Sequence, residues 1–166
     1  KVLIADVVGK FLIDPVYTDP ASYSAVMHVI VLYGFLVQIY YDFSGYSDIA
    51  IGSARLFGFD LPENFKLPFR ALSVREFWRR WHITLSSWLQ DYVYFPLGGS
   101  RRAEPRVLFN LMVTMILIGL WHGASWPWAL FGTIQGIAMC LERTVERAWG
   151  RPFATSPLRR FLLWVW

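Results

Sequence analysis

Two histidines, His82 and His122, are the residues whose type and surroundings best suit catalysis in this sequence. His122 lies in the stretch GLWHGASW, between two of the most apolar runs of the chain. A buried imidazole in a low-dielectric environment favours its neutral form, and a neutral imidazole is a suitable general base. An ionisable residue inside a membrane also marks a functional site by default. The alternative for His122 is a structural histidine that bonds a carbonyl group at a helix end.

His82 lies in the segment 73–95, where apolar residues at helical spacing predict one amphipathic helix. Ser73, followed three residues later by Glu76, predicts a capping box at the start of this helix. A helix rich in Trp and Arg is typical of a membrane interface or a re-entrant segment. The spacing alone favours a solvated polar face for His82 over a catalytic role. That polar stripe consists of Arg75, Arg79, His82, Ser86 and Gln90.

Other catalytic chemistries find little support in the sequence. It contains no GxSxG elbow, and Cys140 lies in an apolar run where a small buried residue is the expected role. Its three histidines are widely spaced and occur without HExxH or CxxC, so no zinc-site pattern is present. No glycine-rich fingerprint for phosphates or dinucleotides occurs either. Direct transfer with a histidine base therefore fits best, with the acceptor's own hydroxyl group as the nucleophile.

The elements that must position these histidines are those of a membrane protein. Apolar residues make up 55% and charged residues 17% of the 166 residues, against about 45–50% and about 25% in typical soluble chains. Residues 107–141 carry no formal charge. One straight helix of that length would measure about 52 Å, which exceeds the roughly 30 Å hydrocarbon core. The run must break, and GASWP at 123–127 predicts two membrane segments, at roughly 106–122 and 126–142.

Further stretches complete the expected topology. Residues 22–43 contain an uncharged run long enough for a transmembrane helix, and another span is predicted to begin near Arg160. Residues 42–59 are too short and too interrupted by glycine for a clean span. Asp42 in this stretch would be costly against lipid, so it either contributes to a polar site or caps and packs helices. The arginine-rich loop after Pro96 is predicted to be cytoplasmic.

The net charge of +4 comes mainly from arginines that flank apolar segments. This placement fits lipid headgroups and cytoplasmic loops, and we expect no nucleic-acid partner. A soluble basic binding module conflicts with the uncharged run 107–141. The chain opens with KVLIADVVGK, without an initiator Met, and stops inside FLLWVW. We therefore interpret it as part of a longer membrane protein.

Three long motifs in sequence order resemble the membrane-bound O-acyltransferase family, and in particular its bacterial branch of alginate O-acetyltransferases. The motifs are QIYYDFSGYSDIAIGSARLFGFDLPENFKLPFRA, FWRRWHITLSSWLQDYVYFPLGGSR and GLWHGASW. The resemblance covers residues 1–166 as the central catalytic portion of a multi-span domain. It implies an all-α membrane protein whose transmembrane and re-entrant helices form part of a ring around a chamber. We expect the N- and C-terminal parts of that domain to be missing, the chamber to be incomplete and this chain alone to be inactive.

The resemblance also implies roles for individual residues. His122 of the WHG motif corresponds to the presumed catalytic residue of the family, and His82, 40 residues earlier, to its second polar residue. The implied donor is acetyl-CoA or another acyl thioester, with no bound cofactor and no metal. The candidate substrate-binding residues are Arg79, Arg80, Trp121 and Asp42. For the two arginines, contact with lipid headgroups stays open as an alternative to contact with donor phosphates.

The implied function is transfer of acetyl to a hydroxyl group, for export and O-acetylation of a cell-surface polysaccharide such as alginate. The acceptor is the polysaccharide itself or a periplasmic acetyl-transfer protein. The expected location is the bacterial cytoplasmic (inner) membrane, with several spans in contact with lipid. A non-enzymatic transporter or a lipid-binding scaffold would use similar broken helices. The sequence shows no internal repeat of the kind that many transporters contain.

Overall fold

The computed structural model describes residues 1–150, and within this range all regular elements are helical. The span predicted to begin near Arg160 lies outside the described residues. The chain divides into two compact units, one formed by Lys1–Glu63 and the other beginning at Asn64.

The N-terminal unit packs short helical pieces along one long helix. Its core contains Ile13, Val16 and Val31, and the hydroxyl oxygen of Ser24 caps the long helix by accepting from the backbone N–H of Met27 at 3.3 Å. The elements are α1 (Val2–Val8), a π-helical turn (Gly9–Ile13), α2 (Asp14–Thr18), a 3-10 turn (Pro20–Ser22) and α3 (Ala25–Leu56).

Helix α3 continues without a break as far as Leu56, through most of the stretch 42–59, so the expectation that glycines interrupt this stretch is wrong. A glycine inside a helix costs only about 1 kcal/mol, which the rest of a 32-residue helix readily outweighs. Gly45 serves close packing instead, because a Cβ atom there would lie 3.2 Å from side-chain atoms of Lys1 and Val2. Among the described helices, α3 and Glu104–His122 are long and apolar enough to cross a membrane.

The C-terminal unit is built around an apolar cluster that joins the four α-helices described in it, between residues 64 and 150. The buried members are Trp78, Leu85, Leu89, Met115 and Ile118, with Phe131 and Met139 packed against them. The elements are a 3-10 turn (Pro68–Arg70), α4 (Val74–Arg80), α5 (Ile83–Leu89), a π-helical turn (Gln90–Tyr94), α6 (Glu104–His122) and α7 (Trp126–Trp149).

The segment 73–95 is not one amphipathic helix, as its spacing predicted. Helix α4 ends at Arg80, Trp81 is extended, and His82 adopts a left-handed backbone conformation before α5 begins. The apolar residues on both sides of the break still face one core, because Trp78 on α4 and Leu85 on α5 pack into the same cluster.

The start of α4 is capped from two directions. The hydroxyl oxygen of Ser73 accepts from the backbone N–H of Glu76 at 2.9 Å, as the capping box predicts. The Glu76 carboxylate accepts from the N–H of Leu72 at 2.6 Å, one residue before the predicted position. A second carboxylate reaches this end from α7, where buried Glu142 accepts from the N–H of Val74 at 2.7 Å. The first turn of α4 is thus completed by a distant part of the chain.

The break predicted within 107–141 is confirmed. Helix α6 ends at His122 and α7 begins at Trp126, with the short stretch between them at Gly123–Ser125. The helices pack closely at Gly119, where an added Cβ atom would overlap the carbonyl oxygen of Trp128. Helix α7 extends to Trp149, beyond the predicted segment 126–142, and a spanning role for it stays a prediction.

Candidate functional site

His82 is buried at the junction of α4 and α5. Only 8% of the surface of His82 is exposed to solvent, and both ring nitrogens are buried. The expectation of a solvated polar face was therefore wrong, because that expectation assumed an unbroken helix. His82 has φ 44° and ψ 56°, a conformation that costs a non-glycine residue about 1–3 kcal/mol and that clusters at functional sites.

A loop segment holds the backbone on both sides of His82. The N–H of Lys66 donates to the carbonyl of Arg80 at 3.0 Å, and the N–H of Ile83 donates to the carbonyl of Asn64 at 3.0 Å. The side-chain oxygen of Asn64 accepts from the N–H of Thr84 at 3.2 Å and from its hydroxyl at 2.6 Å. The groups that a helix break would leave without partners are thereby satisfied.

His122 occupies the last position of α6 and is exposed within its unit. Its imidazole stacks on the indole of Trp128, with ring centroids 4.9 Å apart and an interplanar angle of 23°. Trp128 lies in the first turn of α7, just after the break. The close α6–α7 contact at Gly119 therefore also sets the distance between His122 and the indole that it stacks on.

Trp121 brings the two histidines together. The His82 ring meets the Trp121 indole edge-on at a centroid distance of 5.5 Å. The His122 ring meets the same indole at 5.1 Å, again nearly perpendicular. Two imidazoles 40 residues apart in the sequence thus contact one side chain. Trp121 itself is 58% exposed among the described residues.

A cavity of about 290 Å³ lies among the helices of this unit. Ile83, the residue after His82, is part of its lining, and its polar lining residues include Arg75, Arg79, Arg143, Ser86 and Gln90. The cavity is large enough for part of a substrate of moderate size, and its arginines give it a positive character.

The predicted substrate arginines separate in the structure. Arg79 lines the cavity and has no ion pair among residues 1–150. Arg80 instead pairs with Glu76 at 2.7 Å and donates to the carbonyl of Lys66 at 3.1 Å. The guanidinium of Arg80 is thus engaged in holding the break after α4. Arg79 is the better candidate for contact with a substrate.

Asp42, the remaining predicted substrate residue, lies on α3 of the N-terminal unit with an exposed side chain. Another aspartate of the stretch 42–59, Asp48, forms an ion pair with the Lys1 ammonium at 2.6 Å. A role for Asp42 in substrate binding stays a prediction.

Burial gives His82 an unusual protonation behaviour. Desolvation, reinforced by the neighbouring His122, lowers the pKa of His82 from 6.5 to about 4. The imidazole is therefore neutral at pH 7, and it is able to accept or donate a hydrogen bond there without carrying a charge.

We expect this shift to make the protein less stable as the pH falls from 6.5 towards 4. In this window the unfolded chain binds a proton on His82 that the folded chain does not, so acid favours unfolding. The loss at pH 5 relative to pH 7.5 should be about 2 kcal/mol. Thermal melting of the detergent-solubilised wild type and His82→Gln at both pH values measures it. An equal fall in both proteins would contradict the assignment to His82.

Two residues of this site were missed in the sequence. Asn64 lies in a proline-punctuated loop without periodicity, and its partners are 20 residues away. Nothing local distinguishes it from other loop residues. For Trp128 the sequence contained a weak indication, because this residue lies in the aromatic stretch WPW next to the predicted break.

Comparison with known proteins gives one family match over nearly the whole chain. A family model described as MBOAT, membrane-bound O-acyltransferase family, matches residues 2–166.

Curated relatives agree with this match. The chain is 40% identical over 165 residues to a peptidoglycan O-acetyltransferase of Helicobacter pylori, covering 99% of this chain and 31% of the relative. It is 42% identical over 161 residues to a "Probable alginate O-acetylase AlgI" of Azotobacter vinelandii, covering 96% and 31%. A teichoic acid D-alanyltransferase of Streptococcus thermophilus is 30% identical over 156 residues, covering 86% and 37%. The chain thus spans about a third of the length of these relatives.

Proposed function

Because the chain belongs to the membrane-bound O-acyltransferase family, we propose that the protein transfers an acetyl group from a thioester donor to a hydroxyl group. The observation that carries the proposal is the arrangement of His82 and His122 around the indole of Trp121. The two imidazoles come from separate helices, and the junction that carries His82 is held against backbone strain. Such an arrangement is costly to maintain for packing alone.

In the proposed reaction, His122 acts as the general base. One nitrogen of its imidazole accepts the proton of the acceptor hydroxyl, and the hydroxyl oxygen attacks the thioester carbonyl carbon. The C–S bond then breaks, the ester forms, and the thiolate leaves with the proton from His122. His82, neutral at pH 7, orients the thioester or donates a hydrogen bond to the carbonyl oxygen as negative charge develops on it.

The donor proposed is acetyl-CoA or another acyl thioester. In the cavity, Arg75 and Arg143 are already paired with carboxylates, at 2.7 Å from Glu146 and 2.6 Å from Glu104. Arg79 has no such pair among the described residues, so its guanidinium is the cavity cation best suited to a donor phosphate. Contact of Arg79 with a lipid phosphate uses the same chemistry.

We propose a cell-surface polysaccharide such as alginate as the final acceptor, reached directly or through a periplasmic acetyl-transfer protein. The relatives are named for the modification of alginate, peptidoglycan and teichoic acid, all of which are cell-surface polymers. The proposed location is the bacterial inner membrane, with multiple spans. In α3 and α6, 11% and 28% of the most apolar window is buried, which leaves surface for contact with lipid.

The test compares a strain that lacks the natural full-length gene with the same strain carrying the gene again. Alkali-labile acetyl esters on the surface polysaccharide are measured by NMR. We expect these esters to appear only when the protein is present. If ester content is unchanged while the amount of exported polysaccharide or surface lipid changes, the protein is a transporter or a scaffold instead. If neither changes, the proposed acceptor class is wrong.

A further inference from the structure

We propose that Asn64 is the positioning residue of His82. Its side-chain oxygen caps helix α5 in place of the N-cap side chain, and this allows the His82 imidazole to face Trp121. The proposal rests on the proposed function, because it concerns the histidine pair assigned to acyl transfer.

The first turn of α5 shows why a separate cap is needed. The N-cap residue of a helix commonly uses its own side chain to bind the N–H of the second or third helical residue. His82 is the N-cap of α5 and makes no such side-chain bond. The N–H of Thr84, at the second helical position, donates instead to the side-chain oxygen of Asn64 at 3.2 Å. Asn64 therefore caps the helix, and the imidazole of His82 takes no part in capping.

Asn64 also holds the backbone that follows His82. Its carbonyl oxygen accepts from the N–H of Ile83 at 3.0 Å. The positive φ of His82 persists only if the surrounding structure enforces it. Main-chain and side-chain atoms of Asn64 bind the two residues directly after His82. This fixes the direction in which α5 leaves the break and, with it, the direction of the imidazole.

The chemistry of the cap distinguishes asparagine from its possible replacements. Its single amide oxygen accepts two hydrogen bonds, from the N–H and from the hydroxyl of Thr84, the latter at 2.6 Å. Aspartate retains acceptor oxygens and also suits the positive end of a helix. Alanine offers no acceptor. We therefore expect Asn64→Asp to preserve the site and Asn64→Ala to disturb it.

The first arm of the experiment uses steady-state acyl transfer by the full-length protein. We expect Asn64→Ala to lower kcat by about 10- to 100-fold, because small displacements of catalytic groups have effects of this size. KM for the donor should change much less, since Arg79, the proposed donor contact, lies on α4 and not on α5. Asn64→Asp should remain within about threefold of wild type, on the basis of its similar capping ability. Thr84→Val removes only the hydroxyl donor, and its kcat should lie between the kcat values of the two Asn64 variants.

The matched control is Ser73→Ala, which removes the side-chain cap of α4 rather than that of α5. Both alanine variants should lower the melting temperature similarly, because each loses one cap of about 1 kcal/mol. Only Asn64→Ala should lower kcat. Equal kcat in the two variants, or an Asn64→Asp variant as impaired as Asn64→Ala, would overturn the proposal.

A second arm is independent of activity. Diethyl pyrocarbonate modifies accessible imidazoles, and mass spectrometry measures the rate at His82. We expect slow modification in wild type and in Ser73→Ala, and at least roughly tenfold faster modification in Asn64→Ala, once the cap no longer holds the buried geometry. If wild type shows no acyl transfer, the proposed function fails. The modification rates then decide by themselves whether Asn64 positions His82: unchanged rates in Asn64→Ala would refute it.

Discussion

Replacement of His122 by alanine in the full-length protein is expected to lower acyl transfer by about 10²- to 10⁴-fold, the usual contribution of a general base. The variant removes the imidazole that stacks on Trp128 and contacts Trp121. The side chain is exposed at the end of α6, so its removal leaves the apolar cluster intact. The measurement is the rate of acetyl ester formation in membranes that contain equal amounts of inserted protein.

His28→Ala is the matched control for this experiment. His28 is an exposed histidine in the first turn of α3, whose ring nitrogen lies 2.9 Å from the carbonyl oxygen of Ser24. Its loss should leave the rate near that of wild type. A correctly inserted His122→Ala variant with wild-type transfer would show that another group accepts the hydroxyl proton.

The second large effect is expected from Gly119→Ala. A methyl group at this position would overlap the carbonyl oxygen of Trp128, which is backbone and cannot rotate away. Helices α6 and α7 must therefore separate, and overpacking of this kind costs about 1–3 kcal/mol or more. The same movement displaces His122 from Trp128, so acyl transfer should fall at least roughly tenfold. Thermal melting and transfer rate, measured on the same preparation, test both effects.

Gly52→Ala provides the comparison for this variant. Gly52 lies inside α3, and a Cβ atom there would meet nothing within 4 Å. Alanine should be neutral or stabilise the helix by about 0.5–1 kcal/mol. If Gly119→Ala behaves like Gly52→Ala in both measurements, the close approach of α6 and α7 does not control the site.

The sequence was most informative where a single physical limit decided the structure. The uncharged run 107–141 is too long for one span, and the break falls where the length of the bilayer and GASWP predicted it. The N-cap role of Ser73 also followed from local chemistry. The pairing of His82 with His122 followed from the family resemblance, and the structure brings both rings to Trp121.

The features that the sequence concealed depend on contacts between distant residues. The break before α5 is stabilised because Asn64 and Lys66 form hydrogen bonds with the backbone on both sides of His82. The spacing of apolar residues within 73–95 contains no information about those hydrogen bonds. The burial of His82 follows from that break. The opposite error occurred in α3, where the glycines of the stretch 42–59 suggested an interruption that their local cost is too small to enforce.

The carboxylate of Glu142 has a consequence for the order in which this unit matures during synthesis. It completes the first turn of α4 although it is 68 residues further along the chain. The ribosome releases α4 and His82 well before this carboxylate, so the start of α4 lacks one of its caps until α7 is in place. The helix that leads into the His82 junction is therefore fully capped only after the helix that carries Trp128 has been added. Completion of the first turn of α4 is in this way a late step in the folding of this unit.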